Sequence, residues 1–600
     1  MLIINCRLCY NNLMATLWQQ KISKPREQFA EFVREEMEAN MKFKDMPYER
    51  VDFDKVGEEF KQLMAEFDAA KSGEEQFEVH KKYYDLTDRV STMMTIANIR
   101  HDVDTTDAFY DAEQAYYDEK GPVFRNLVVA YQKKMYESPY RDYLEEKIGP
   151  VAFKNMELSL KSFDEKLIPL MQEENALTTE YDKLIAGAKI EWEGETFNLS
   201  LMRPYLIHVD RKVRRKAWDK VAAFFEENAD KLDEIYDKLV KNRDAQAKTM
   251  GYQNYLELGY YRMQRNCYGQ ADVENFRRQV KKDFVPFAEK LHERRRQRLG
   301  IDKLSFEDES VYFVNGNPKP TGTPEEIMQS GQKMYSELSP ETKEFFDFMM
   351  ENELFDVLGR KTKKAGGYMT YLPVYQSPFI FANFNGTDGD INVITHECGH
   401  AFQGYISGKD PIREHSDITM ETAEIHSMSM EFFTEKWMEM FFGDRAKDYR
   451  AMHLEDAAAF IPYGCMVDEF QHIVYENPDM TPAERKAAWT KLEKEYKPHL
   501  DYGDCRFFAE GGYWQRQPHI FDYPLYYIDY CIAQTCALQY KTMMDDDYKA
   551  AWDSYLKLCK LSASDFFTNL VKMVGLENPF EDGSIKKMVD KLEEKYSRLI

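Results

Sequence analysis

Long hydrophobic runs are missing from this 600-residue chain. Nowhere do about 18 consecutive apolar residues occur, so a transmembrane helix is excluded. The start, Met1 to Leu17, is moderately apolar, but Asn5, Arg7, Asn11 and Asn12 interrupt it. Without an apolar core of about 7–15 residues it does not read as a signal peptide. Residues 1–22 are expected to form a disordered tail, with Met14 as an alternative start. Gly/Ser-rich and Pro-rich linkers are absent, as is any repeat of fixed period, which argues against separate beads and against a solenoid. A paired cysteine framework is absent too. The nine cysteines are odd in number and scattered, and Cys6 and Cys9 have no second pair nearby to complete a zinc site. That pattern fits a reducing compartment and a cytoplasmic location. Positive charge is in deficit, 80 Lys and Arg against 105 Asp and Glu, for a net charge of −25. Such a surface repels nucleic-acid phosphates, so neither nucleic acid nor membrane is expected as a partner.

What remains is a large, aromatic-rich chain. Apolar residues make up 43%, with Phe and Tyr at 39 each, ample for one continuous body with lobes. Most of it has helical periodicity. Helices are expected from Arg26 to Phe43, Asp54 to Lys71, Gly73 to His101, Thr106 to Ser138, Leu158 to Glu174 and Thr178 to Gly187. Apolar alternation on both sides of Gly194 then predicts a hairpin over Ile190–Leu199. Asp210 caps a helix to Asn228, and another runs from Lys231 to Met250. Thr323-Pro324-Glu325-Glu326 and Thr481-Pro482-Ala483-Glu484 are capping boxes with proline in the first turn, and Ser339-Pro340 is a shorter version. The cluster Arg294, Arg295, Arg296 and Arg298 reads as a helix C-terminus facing solvent. The expected organisation is an N-terminal helical lobe over 23–200 and a catalytic region over 201–600.

His396-Glu397-Cys398-Gly399-His400 carries the chemistry. Two histidines four apart share one helical face, since a turn takes about 3.6 residues. Both can reach one zinc ion, and Glu397 can face the open coordination position as general base. Asp388-Gly389 marks a turn, and Asp390 is the expected N-cap of a helix over Ile391–Ile406. A catalytic zinc needs a third protein ligand. The segment Asp417–Phe441 reads as a second helix that could supply it. Glu424, flanked by Ala423 and Ile425, is the leading candidate, with Glu421 as its rival. Glu431 shares a face with Glu424 and could orient a ligand histidine. Cys398, about 200° round from His396, is expected to pack on the far side of the helix. Just upstream, Gly366-Gly367-Tyr368 to Val374 and Phe379 to Thr387 read as short strands. Their exposed edge, including Asn383, could hold a peptide by main-chain hydrogen bonds or could serve a small structural sheet.

Three segments in this order resemble the oligoendopeptidase F branch of the thimet-oligopeptidase family of zinc metallopeptidases. They are His396-Glu-Cys-Gly-His400; Glu421-Thr-Ala-Glu424-Ile-His-Ser427 followed by Glu431-Phe-Phe; and Gly511-Gly-Tyr-Trp-Gln-Arg-Gln-Pro-His519-Ile-Phe-Asp-Tyr-Pro-Leu-Tyr526-Tyr527-Ile-Asp-Tyr530. The similarity runs from about Leu201 to the C-terminus and weakens before that. The resemblance implies a mostly α-helical, two-lobed fold enclosing a deep channel, with a small β element beside the zinc helix. It implies one zinc ion per chain and hydrolysis of internal bonds in short unfolded peptides. It places His519, Tyr527 and Tyr530 opposite the zinc, where they meet the oxyanion or orient the substrate. On spacing alone, Tyr523, Tyr526, Tyr527 and Tyr530 read instead as an aromatic core face. It also favours substrate binding at Gly366, Gly367, Tyr368 and Asn383. The rivals are a zinc carboxypeptidase of related helical fold, for which no residue gripping a free C-terminus stands out, and a non-catalytic peptide-binding protein, to which Glu397 would be superfluous.

Overall fold

A computed structural model describes residues 41–596. The expected tail over 1–22, the alternative start at Met14, Cys6, Cys9 and nearly all of the helix expected from Arg26 lie outside them. Helices Phe53–Ala69, Gly73–Val103, Ala108–Tyr136 and Pro150–Ser162 pack around a core of their own. Phe53, Phe60, Phe67, Tyr131 and Phe153 are buried there. Side-chain caps start three of the four: Asp52 accepts from the Asp54 and Lys55 amides, Ser72 from Glu75, and Asp107 from Phe109 and Tyr110. A second, much larger core holds most of the remaining described residues, and Ile96, Ile99 and Tyr181 from the N-terminal part contribute to it. The fold is thus mostly helical and two-lobed. None of the described helices is long and apolar enough to cross a membrane. The seven described cysteines are free.

Several boundaries differ from the sequence reading. The helices expected over Leu158–Glu174 and Thr178–Gly187 are found at Pro150–Ser162 and Ile168–Ala186. The break falls at Phe163–Leu167, where Asp164 caps a short 3-10 turn and Pro169 opens the next helix. Position 150 is also a proline in the first helical turn, a start signal that apolar periodicity alone passes over. The hairpin forms as Ile190–Trp192 paired with Glu195–Phe197. Glu193 and Gly194 both have positive φ in its turn. Both capping boxes and the Ser339 cap are present.

Three strands lie beside the histidine motif. Ser377–Phe384 is central, antiparallel to Tyr368–Leu372 and parallel to Phe355–Leu358. Nearly every residue of the central strand is buried, as expected for a strand covered on both faces.

Candidate active site

The motif helix spans Gly389–Ser407. Asp388 is its N-cap, not Asp390. Asp390 lies in the first turn, where its carboxylate accepts from the Asn385 and Gly386 amides and so ties the helix to the end of the central strand. The second helix spans Met420–Phe433 and continues as a 3-10 turn over Thr434–Trp437, shorter than the expected Asp417–Phe441. The two helices touch backbone to backbone at Gly399. A β-carbon there would lie 2.6 Å from the His426 carbonyl oxygen and from the Ser427 α-carbon. This contact lets a side chain as short as glutamate bridge from one helix to the other.

Glu424 makes that bridge. Its Oε2 lies 3.4 Å from His396 Nε2 and 3.3 Å from His400 Nε2. An ion with tetrahedral bonds of about 2.0–2.1 Å sets its donors about 3.3–3.4 Å apart. The spacing, two imidazole nitrogens and one carboxylate oxygen therefore fit zinc, and these three residues could hold it. Glu421 points elsewhere: Thr419 donates to its Oε1 at 2.6 Å and its buried Oε2 has no partner. The remaining oxygen of Glu424 accepts from the Tyr526 hydroxyl, and Ser427 Oγ donates to Oε2 at 2.9 Å. A second group, Glu289, His292 and His499, fails the same test. There His499 Nδ1 lies 2.6 Å from Glu289, a hydrogen-bond length. The two imidazoles also stack 3.6 Å apart at 26°, so no ion can lie close in both ring planes.

Glu431 holds the outer edge of His396, with Oε1 2.6 Å from Nδ1. This holds a proton on Nδ1, so that Nε2, which faces Glu424, is the nitrogen that would give its lone pair to a metal ion. Burial by itself would raise the pKa of Glu431, but hydrogen bonds from His396 and His453 override it and bring it to about 2. Burial would lower that of His396, yet Glu424 and Glu431 raise it well above the ordinary value. Burial raises the pKa of Glu397, against the opposing pull of His396 and His400. Cys398 is fully buried in the core, as its position round the helix implied.

The third segment faces Glu424. Tyr526, passed over in the sequence reading as one aromatic among several, is the residue that bonds the bridging carboxylate. It precedes the helix Tyr527–Asp546 as its N-cap, and its i, i+4 spacing to Tyr530 is shared by Tyr523 and Tyr527, so no signal in the sequence singles it out. Tyr530 Oη lies 3.4 Å from His519 Nε2. Tyr463 donates to Gln517 Oε1 at 2.8 Å, which turns the amide nitrogen towards His519 Nδ1, also at 2.8 Å. His519 therefore carries its proton on Nε2, towards Tyr530. Tyr527 packs its ring against Phe460, Tyr463 and His519.

Gly366, Gly367, Tyr368 and Asn383 come together in a cluster of their own. The Asn383 amide donates to Lys364 O at 2.8 Å and to Gly366 O at 2.9 Å. Tyr368 stacks on Phe381 and donates to Asp102 at 2.9 Å. Both side chains thus brace the loop, leaving its backbone as the surface a peptide could meet. Gly366 has φ of +96° and open space where a β-carbon would point.

Residues 205–590 match peptidase family M3, and residues 43–163 match the peptidase M3 N-terminal domain. PZ peptidase A, solved with an inhibitor, is 47% identical, with a TM-score of 0.91 over 92% of this chain and 98% of its own. A crystal structure of a chain provisionally assigned as oligoendopeptidase F is also 47% identical, with a TM-score of 0.92 over 93% of this chain and 99% of its own. Oligopeptidase PepF of Bacillus subtilis is 22% identical over 550 residues, 85% of this chain and 79% of that protein.

Proposed function

The chain belongs to peptidase family M3, a family of zinc metallopeptidases, in its oligoendopeptidase F branch, and on that basis we propose that it is a cytoplasmic zinc oligoendopeptidase cutting internal bonds of short unfolded peptides. His396, His400 and Glu424 hold one zinc ion, with Glu397 as general base. The observation that carries this reading is the donor spacing of 3.3 and 3.4 Å around Glu424 Oε2. We read the N-terminal helical lobe and the catalytic region, within the described residues 41–596, as enclosing the substrate in a channel too narrow for a folded protein.

The bound zinc would polarise the scissile carbonyl and make a water nucleophilic near neutral pH. The chain's own groups do the rest. Glu397 takes the proton of the attacking water on its carboxylate and returns it to the leaving nitrogen. Glu431 keeps His396 in the tautomer that points a lone pair inward. His519, protonated on Nε2, donates to the Tyr530 oxygen. The Tyr530 hydrogen is then free to meet negative charge growing on the carbonyl oxygen. Tyr527 backs His519 and is the second candidate for that contact. Backbone groups at Gly366 and Gly367, held by Asn383 and Tyr368, pair with the extended peptide.

The test is cleavage of end-blocked peptides of graded length, with and without chelator. Internal cuts confined to short members, abolished by chelator and restored by zinc, are the expected outcome. Failure on amide-blocked C-termini alongside cleavage of free ones would give a carboxypeptidase instead. No cleavage by folded, zinc-loaded protein would contradict the enzymatic reading.

A further inference from the structure

Behind His396, hydrogen-bonded groups continue well past Glu431. Glu431 Oε2 lies 2.7 Å from His453 Nε2 on the helix Ala446–Glu476. His453 Nδ1 lies 3.0 Å from Glu435 Oε1. Glu435 Oε2 in turn lies 2.9 Å from Lys541 Nζ on the helix Tyr527–Asp546. Glu431 and Glu435 are four residues apart, so the last turns of one helix present two carboxylates that straddle a single imidazole on another. His453 and Glu435 are almost wholly buried, and Lys541 nearly so. Tyr449 lies parallel to the His453 ring, and Phe432 packs against it at 4.6 Å. The imidazole can neither turn nor slide.

We propose that His453 is a positioning residue for the metal ligand His396, acting through Glu431, with Glu435 and Lys541 as the outer members of the same chain. The inference rests on the zinc site described above. A carboxylate has two oxygens and rotates freely unless both are engaged. One oxygen of Glu431 holds His396 Nδ1, and His453 engages the other, which fixes the plane of the carboxylate and hence the direction of His396 Nε2. The charges alternate from Glu431 through His453 and Glu435 to Lys541, so each buried group has its counter-charge. Burial would hold His453 neutral, yet its two carboxylate partners raise its pKa to about 10, so both nitrogens donate.

Two substitutions separate positioning from packing, because each removes the ring. Glutamine places its amide nitrogen near the position of Nε2, and asparagine near that of Nδ1. In His453→Gln a donor still reaches Glu431; in His453→Asn the surviving donor faces Glu435 and Glu431 is released. The readout is zinc affinity by chelator competition, with circular dichroism and thermal unfolding of the metal-free proteins as folding controls. His453→Asn is expected to weaken zinc binding about tenfold or more, as loss of an outer-shell partner does, while His453→Gln stays within about threefold of the parent. Equal affinities in both variants, whether unchanged or equally reduced, overturn the inference and leave the zinc site standing. A parent protein that binds no zinc overturns both. Should His453→Asn not fold, nitrogen-15 histidine spectra of the intact zinc-loaded protein decide the matter. A proton on His453 Nε2, towards Glu431, supports the proposal, and a bare Nε2 overturns it.

Discussion

Gly399 lies against the His426 backbone so closely that a β-carbon would come within 2.6 Å of its carbonyl oxygen. The neighbour is main chain, so no flexible side chain can swing aside. Gly399→Ala must push the helices Gly389–Ser407 and Met420–Phe433 apart, at a cost of about 1–3 kcal/mol, as overpacking usually does. The same displacement draws Glu424 back from the two histidines. We expect lower thermal stability together with weaker zinc binding, measured by melting with and without zinc. A variant that melts lower yet binds zinc like the parent would mean that the helix spacing does not set the donor geometry.

Glu397 is half-buried next to His396 without being part of the donor set of His396, His400 and Glu424. Glu397→Gln keeps the shape and removes the proton acceptor. Zinc content should stay at one per chain while kcat falls about 10²–10⁴-fold, the usual reach of a general base. Retained turnover would move the base elsewhere.

The sequence makes local chemistry legible and leaves meeting points hidden. The pentapeptide, both capping boxes and the hairpin at Gly194 depend on residues a few positions apart, where helical or strand period fixes who faces whom. The choice between Glu424 and Glu421 could not be made that way. The two differ by three residues on one helix, and only the crossing at Gly399 brings one of them to the histidines. Tyr526 escaped for a related reason, since nothing local separates a tyrosine that bonds a carboxylate from one that fills a core. His453 lies 22 residues beyond Glu431 on a separate helix, and its role exists only in three dimensions. The slipped helix boundaries near Phe163 came from trusting periodicity over the prolines at 150 and 169.

That distinction between the two glutamates is open to direct test. Glu424→Ala removes one donor of three and also strands the Tyr526 hydroxyl. Glu421→Ala removes a carboxylate whose bonded partner is Thr419. Zinc affinity should fall in the first by more than the about 10–100-fold typical of outer-shell losses, and should not change in the second. Isothermal titration of the metal-free proteins with zinc measures both, and the reverse order would transfer the ligand role to Glu421.

His519 offers a test of the opposite wall through its protonation. Burial lowers its pKa from 6.5 to about 4, with only a small opposing pull from Glu424. The unfolded chain therefore takes up a proton below about pH 6.5 that the folded chain refuses until about pH 4. The sign follows: the contribution of a neutral His519 to stability is complete above pH 6.5 and is lost as the pH falls towards 4. The gap of about 2.5 pH units corresponds to roughly 3 kcal/mol at most. His519→Gln cannot titrate and lacks this dependence. Melting temperatures of parent and variant, measured with chelator throughout so that metal loss does not contribute, should converge or cross as the pH is lowered from about 7.5 to about 4.5. Parallel curves would mean that the folded imidazole titrates like the unfolded one, and a parent that gains on the variant as the pH falls would mean that His519 is held charged in the folded protein. A charged imidazole would carry protons on both nitrogens and could not accept from Gln517, so Tyr530 would lose the arrangement that frees its hydrogen for the substrate.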